Sequence, residues 1–399
     1  MNRFRRLSLT RLSALLAAAL VALGAGAAVA MAALGSDGPK PPAKPLAQAL
    51  NDGLNAPEVA GVSARIAFTN NLIDSSGLSG ANPMLTGAKG RFWASADGKV
   101  RLELQSSSGQ DAQLFMDDKT AWVYDGGSNT AYVMKLKPYV DEEGKDQKGP
   151  ITLAQIESKL AEVAKDANLS GAIPSNVGGE PAYTVKISPK RAAGLFGGAQ
   201  IAWDAARGIP LRGAIYAKGR KNPVLEITAT EISFGAVSES IFDITYPQNA
   251  KVVTIDQPSK DKNAGSQDKS VTGLEAVQSK LDFKLVAPAT IGGLARSEVR
   301  LVGADGKPGA IVTYGDDLNG IIVMQTPVGA KNPIAAKSDK GDREGGFALP
   351  SVSINGASGQ ELATALGTVL TFERDGVSYT VIGSILPAAA EAAARDLRK

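Results

Sequence analysis

The chain has 399 residues, of which 44% are hydrophobic and 21% are charged. These values are ordinary for globular proteins, and the length predicts two domains or slightly more. The sequence contains no cysteine and no histidine, which excludes disulfides, thiolate nucleophiles, Cys/His zinc sites and Ser-His-Asp triads. The formal net charge of +3 reflects four arginines that precede Asp37. The remainder is nearly neutral and lacks the basic patch that nucleic-acid binding needs.

The N-terminal segment, residues 1–33, starts with arginines and continues into an uncharged apolar stretch. It is either a secretory signal peptide, cleaved after Ala28-Val29-Ala30 or Ala30-Met31-Ala32, or an uncleaved membrane anchor of about 20 apolar residues with its arginines in the cytoplasm. Both interpretations place the rest of the chain outside the cytoplasm, secreted or anchored to the cytoplasmic membrane.

Two spacers divide the remaining sequence. Residues 34–45 form a Pro-rich, extended spacer. Residues 257–269 form a second linker, because this stretch is polar and offers no large apolar side chain to bury. We therefore expect a first domain at 46–256 and a smaller domain at 270–399.

The first domain is predicted to open with a helix at 46–54 and to continue as strands. Val100, Leu102 and Leu104 alternate with polar residues, which is typical of a half-buried antiparallel strand. Apolar residues that recur three and four positions apart predict one amphipathic helix at 151–166. The other predicted strands are 113–116, 121–124, 131–136, 182–188, 199–204, 211–218, 224–234 and 242–246.

The second domain is predicted to be a small α+β domain. Its predicted strands are 297–302, 310–314, 320–325, 369–373 and 377–382. A hairpin turn is expected at Arg374-Asp375-Gly376, and an Ala-rich helix with an N-terminal proline closes the chain at 387–397. The predicted fold class is therefore mainly β (α+β).

Three stretches of the first domain carry a family resemblance. They are Gly90-Arg91-Phe92-Trp93 followed by 98–102 and 116–124, then Gly208-Ile209-Pro210-Leu211-Arg212, and finally 242–252. In this order they resemble the LolA-like lipoprotein-carrier family, including its two-domain regulator branch of the RseB/MucB kind. The second domain, through 370–380, is similar to a small domain found beside sigma-factor regulators.

The resemblance implies a curved antiparallel half-barrel, closed by helices, whose concave face holds acyl chains. One position departs from the family. The carriers have an Arg-Pro pair after the strand tryptophan, and the arginine acts in lid closure, whereas this chain has Ala96-Asp97. This departure argues against a lid that switches as the carriers' lid does.

The candidate ligand-binding residues are apolar side chains along the meander, to which we assign one common sheet face. They are Val100, Leu102, Leu104, Leu114, Met116, Trp122, Tyr124, Tyr132, Met134 and Leu136. An acyl chain needs only an apolar concavity, but an ordinary core gives the same alternation, so cavity and core both remain open. The helical stripe Leu153, Ile156, Leu160 and Val163 is either a lid over this face or a permanent plug.

No residue pattern points to catalysis, a metal or a cofactor. The acidic run 141–146 lacks the ligand spacing of a calcium loop, and carboxylate pairs such as Asp117-Asp118 are turn formers. We therefore expect a non-enzymatic extracytoplasmic protein that binds lipid or lipoprotein acyl chains. The alternative is a sigma-factor regulator that binds the extracellular segment of an anti-sigma factor; neither function involves nucleic acid.

Overall fold

The computed structural model describes residues 38–73, 85, 87–105, 111–136, 152–191, 194–255, 271–303, 307–315, 320–329 and 349–398. The predicted N-terminal segment, the acidic run 141–146 and the linker 257–269 lie outside these residues. Within the described ranges no helix is long and apolar enough to cross a membrane. The chain divides into two compact units, Met1–Arg191 with Gly197–Ser259, and Ala192–Phe196 with Lys260–Lys399.

The first unit is built from strands with two helices. The helices are α1 (Leu46–Leu54) and α2 (Leu153–Asp166). The strands are β1 (Gly61–Asn70), β2 (Ala88–Ser95), β3 (Val100–Gln105), β4 (Ala112–Met116), β5 (Thr120–Asp125), β6 (Thr130–Lys135), β7 (Ala167–Leu169), β8 (Ile173–Val177), β9 (Glu180–Pro189), β10 (Phe196–Asp204), β11 (Pro210–Ala217), β12 (Leu225–Phe234) and β13 (Lys251–Ile255).

These strands form one sheet in the described part of the chain. Its order is β13-β6-β5-β4-β3-β2-β1-β12-β11-β10-β9-β7, with β8 paired to β9. The sheet curls as a half-barrel, so the predicted mainly β, α+β fold is confirmed. Consecutive strands are joined as antiparallel neighbours, as hairpins require, whereas β13 lies parallel to β6.

Local sequence explains where the helices and hairpins form. The α2 helix starts at a capping box, in which the Thr152 hydroxyl accepts from the Gln155 backbone N–H and the Gln155 side chain accepts from the Thr152 backbone N–H. The hairpin between β4 and β5 is closed by Asp117, whose carboxylate accepts from the backbone N–H groups of Lys119 and Thr120.

Helix α1 covers one part of the sheet. Ala49 of α1 is buried in a cluster with Tyr183, Val185 and Trp203 of β9 and β10. Helix α2 packs against α1 and β7. Both helices therefore lie beside strands at the β7 end of the strand order.

The predicted strand at 242–246 is wrong. This segment has no ladder partner; it follows a short 3-10 turn, Glu239–Ile241, and packs on the sheet as an irregular segment that we call the strap. Phe242 is buried, and Ile244 and Tyr246 are half-buried, because alternate side chains of the strap point into an aromatic cluster. That packing produces the period-two pattern without strand pairing.

The second unit has its own sheet and core. Its helices are α3 (Leu274–Gln278) and α4 (Pro387–Asp396). Its strands are β14 (Thr290–Ile291), β15 (Leu294–Val302), β16 (Gly309–Tyr314), β17 (Ile321–Pro327), β18 (Ser351–Ile354), β19 (Ala357–Thr364), β20 (Gly367–Arg374) and β21 (Val377–Gly383). The predicted hairpin turn is confirmed: Asp375 and Gly376 have φ of +53° and +76°, as a type I′ turn requires.

Candidate ligand-binding face of the half-barrel

Cross-strand registers assign every residue from β1 to β6 to one of two sheet faces. We call them the Ile66 face and the Trp93 face. Phe92 pairs with Ala64 and Leu102, which places all three on the Ile66 face. Trp93 pairs with Ser63 and Arg101 on the opposite face.

Two rows of apolar residues cross the Ile66 face from β3 to β13. The first row is Val100, Met116, Ala121, Met134 and Ile255. The second row is Leu102, Leu114, Val123, Tyr132 and Val253. At about 4.8 Å per strand spacing, these rows extend for roughly 19 Å. We call this surface the two-row face.

The two-row face is accessible as well as apolar. None of its ten residues is fully buried, and Tyr132 and Ile255 are 39% and 41% exposed. The next row inward differs, because Leu104 and Ala112 are buried in a cluster with Ile66, Phe68 and Leu225. One end of the Ile66 face is therefore core, and the end toward β6 is a surface that can accept an apolar ligand.

Most of the predicted ligand-binding residues lie on the Ile66 face. The two rows contain Val100, Leu102, Leu114, Met116, Tyr132 and Met134, and Leu136 follows β6 with the parity of Met134. Leu104 shares this face but is only 2% exposed and belongs to the core cluster.

The assignment of Trp122 and Tyr124 to the same face is wrong. Trp122 pairs with Phe115 and Val133, so both β5 aromatics point to the Trp93 face. The length of the turn before a strand decides which of its residues point to each face of the sheet. The turn after Met116 places Ala121 directly opposite Met116, so Ala121 shares the face of Met116. Ala121 and Val123 therefore hold the two-row positions of β5. Only the register of that turn could have revealed this.

Trp122 belongs to an aromatic cluster on the Trp93 face. Its ring stacks on Phe115 at 5.8 Å and meets Tyr246 edge-on at 5.7 Å between centroids. Phe242 completes the buried cluster, and Trp93 and Tyr124 pack against it. The strap thus covers the aromatic cluster on the Trp93 face, whereas the two-row face stays accessible.

Charged groups hold the 3-10 turn, Glu239–Ile241, that leads into the strap. Arg101 donates from Nη1 to the Ile241 carbonyl at 2.6 Å, and Lys99 pairs with Asp97 and Glu239. Hydrogen bonds to Glu239 and Asp97 raise the pKa of Lys99, and the hydrogen bond from Ser95 lowers the pKa of Asp97. Asp97 thus belongs to a charged group that holds the 3-10 turn before the strap.

The predicted lid residues differ in burial. Ile156 is 1% exposed and Leu160 is half-buried, whereas Leu153 and Val163 are 42% and 47% exposed. The main neighbours of the helix are α1 and β7, rather than the strands of the two-row face. A lid role for α2 remains a prediction.

Among the described residues no cluster of acidic side chains could hold a metal ion. No family model matches the chain, and no curated protein sequence matches it.

Several solved structures are similar to this chain. The complex of Pseudomonas aeruginosa MucA and MucB matches 88% of the chain and 94% of its counterpart, at 17% identity and a TM-score of 0.40. The structure of MucB in complex with MucA(peri) matches 88% of this chain and 96% of its own, at 16% identity and a TM-score of 0.39. The structure of a LolA superfamily protein from Nitrosomonas europaea matches 51% of this chain and 100% of its own, at 10% identity and a TM-score of 0.20.

Proposed function

We propose that this chain is a non-enzymatic, extracytoplasmic binding protein that holds acyl chains of a lipid or lipoprotein on the two-row face. The observation that carries the proposal is that ten apolar side chains form two uninterrupted rows and that none of them is fully buried. A face that only builds a core would be covered, as Leu104 and Ala112 of the same face are.

The side chains of the two-row face suit an acyl chain. Met116 of β4 and Met134 of β6 lie in the first row, and Ala121 of β5 lies between them. Methionine side chains adapt to irregular apolar ligands. Neither row contains a charged side chain, so an acyl chain would desolvate no ionised group of these rows.

The test is to place a carboxylate on this face. Met134→Glu should abolish uptake of a fluorescent fatty acid, because the bound chain would have to desolvate the new charge. The matched control is Lys135→Glu, which puts the same carboxylate one residue further along β6, on the opposite face, at an exposed position. Fluorescence titration measures uptake, and thermal unfolding checks the fold of each variant.

Tyr132→Glu is a second variant for this test, because a residue that is 39% exposed tolerates a charge without unfolding. Equal uptake by wild type, Met134→Glu and Tyr132→Glu would contradict the proposal. Loss of folding in Met134→Glu, with normal uptake in Tyr132→Glu, would identify the face as core. The second hypothesis, binding of an anti-sigma factor's extracellular segment, stays a prediction.

A further inference from the structure

Residues 38–45, which precede helix α1, are fastened to the half-barrel. The Tyr183 hydroxyl donates to the Pro42 carbonyl at 2.7 Å, and the Asn176 side-chain amide donates to the Pro39 carbonyl at 3.0 Å. Tyr183 is only 1% exposed, so its hydroxyl holds the segment from a position that the core fixes. We call residues 38–45 the docked segment.

The composition of the docked segment lowers the cost of ordering it. It contains four prolines in eight residues, and each proline ring fixes its own φ, so the free segment has less conformational entropy to lose. Its last turn is held as well, because Lys44 forms an antiparallel bridge with Ala172 and an ion pair with Asp52 of α1 at 2.6 Å. The segment is therefore held along its length rather than at one point.

The docked segment enters the first unit at one end of the sheet. It runs antiparallel to the stretch that leads through β8, with Lys44 opposite Ala172 and Pro39 beside Asn176. Its first residue therefore lies near Val177, the last residue of β8. We call this end of the sheet the Val177 end.

The Val177 end also carries the first row of the two-row face. Val177 pairs with Glu180, where β9 begins, and the strand order with its registers carries this end across the sheet. From β10 onward the residues at this end are Asp204, Pro210, Phe234, Gly61, Ser95 and then the first row from Val100 to Ile255. The turn between β11 and β12 lies at the opposite end, roughly 30 Å away, because β12 has ten residues.

The chain that leads into the docked segment comes from the predicted signal peptide or anchor. Only residues 34–37 separate residues 1–33 from Gly38, and so short a connection spans at most about 17 Å. An anchor in residues 1–33 would therefore hold the Val177 end close to the bilayer. The opposite end of the strands would lie roughly 30 Å further along them.

We propose that residues 1–33 stay in the cytoplasmic membrane as an uncleaved anchor and that the docked segment turns the Val177 end of the first unit toward the bilayer surface. The uncharged stretch in residues 1–33 has about the 20 residues that a bilayer span needs. The continuity of the chain selects the membrane as the partner of this end. The inference does not depend on acyl-chain binding, but it puts the first row of the two-row face on the membrane side.

The experiment uses the full-length chain in phosphatidylcholine liposomes that contain a lipid with an acceptor dye on its headgroup. The chain has no cysteine, so Lys119→Cys and Lys221→Cys each provide one site for a membrane-impermeant donor dye. Both lysines are exposed; Lys119 lies in the turn after β4, at the Val177 end, and Lys221 lies in the turn between β11 and β12. Energy transfer from position 119 should be at least about twofold more efficient, because roughly 30 Å separates the two sites along the strands.

Two kinds of control variant separate the docked segment from other causes. Insertion of about twenty Gly and Ser residues between Asp37 and Gly38 adds a flexible tether of roughly 25 Å and should remove the difference between the two sites. Tyr183→Phe combined with Asn176→Ala removes both side-chain hydrogen bonds to the docked segment and should reduce the difference. Tyr124→Phe, which removes a hydroxyl hydrogen bond elsewhere in the sheet, should leave it unchanged.

Three results would overturn the proposal. The first is equal energy transfer from both sites in the otherwise unchanged chain. The second is a protein that mass spectrometry finds without residues 1–33 in the membrane fraction of the cells that express it. The third is a difference that survives the insertion, because surface contacts would then orient the unit. Met134→Glu should leave the energy transfer unchanged, so failure of this inference and failure of the proposed function can be told apart.

Discussion

Glu361 is a buried carboxylate that the fold leaves incompletely hydrogen-bonded. It lies on β19 with a side-chain oxygen that has no hydrogen-bond partner among the described residues. Burial raises the pKa of Glu361 above its ordinary value of 4.5, and repulsion from Glu391 of α4 adds to the shift. A carboxylate with a raised pKa in the folded state destabilises the fold once it ionises.

We predict that Glu361→Gln stabilises the second unit at neutral pH by about 1 kcal/mol. The sign follows from linkage: the folded state holds the Glu361 proton more tightly, so stability falls as pH rises above the unfolded value near 4.5 and levels off above the folded pKa. Denaturant unfolding at a series of pH values measures this effect, which should vanish below pH 4.5. Glu373→Gln, at an exposed position on β20, is the control. An equal gain in both variants would contradict the argument.

At the scale of elements, helix α2 tests the difference between a lid and a plug. Ile156 is 1% exposed, whereas Leu153 on the same predicted stripe is 42% exposed. A plug would bury the whole stripe. The observed helix buries Ile156 fully and Leu160 in part, which gives it a small anchoring contact.

We therefore predict that Ile156→Ala lowers the free energy of unfolding by about 2–4 kcal/mol, while the matched change Leu153→Ala stays within about 0.5 kcal/mol. Denaturant melts of both variants check this. The lid hypothesis further requires that Ile156→Ala speeds exchange of a bound fluorescent fatty acid. A large loss of stability with unchanged exchange would leave α2 as a structural helix.

The strap has the alternating apolar pattern of a β-strand, yet it packs into the aromatic cluster without pairing to another strand. Its alternate apolar side chains enter the aromatic cluster around Trp122. Arg101 and Lys99 hold the 3-10 turn before the strap, through the Ile241 carbonyl and the Glu239 side chain. The strap thereby covers the aromatic part of the Trp93 face, whereas the two-row face is the accessible apolar surface of the opposite side.

At the scale of the whole molecule, the second unit carries a core of its own. The cluster of buried residues there is drawn from positions between Val277 and Leu397 and includes Tyr314, Leu370 and Tyr379. Helix α4 contributes Ala393 and Ala394 to it. A core that closes within one stretch of chain should fold by itself.

We predict that limited proteolysis of the full-length chain cuts within the linker 257–269 and leaves two resistant fragments. A fragment of 270–399 expressed alone should unfold cooperatively, with a fluorescence or circular-dichroism transition. A single resistant product that spans the linker, or a fragment without a cooperative transition, would show that the second unit depends on the first.

The amino-acid sequence by itself determined the local elements and the excluded chemistry. Period-two alternation identified the strand at Val100–Gln105, and helical spacing identified Leu153–Asp166 to within two residues, because both signals come from neighbouring residues along the chain. The absence of cysteine and histidine likewise excluded whole classes of site, because their chemistry requires a thiolate or an imidazole.

Only the tertiary structure decided which residues share the two-row face. Trp122 and Ala121 differ by one position, and the register of a hairpin turn sends one to the Trp93 face and the other to the Ile66 face. Val253 and Ile255 join the rows through a parallel pairing with β6, more than a hundred residues earlier in the chain. Pairing at that distance leaves no local pattern, because it depends on how the whole sheet closes rather than on the neighbours of each residue.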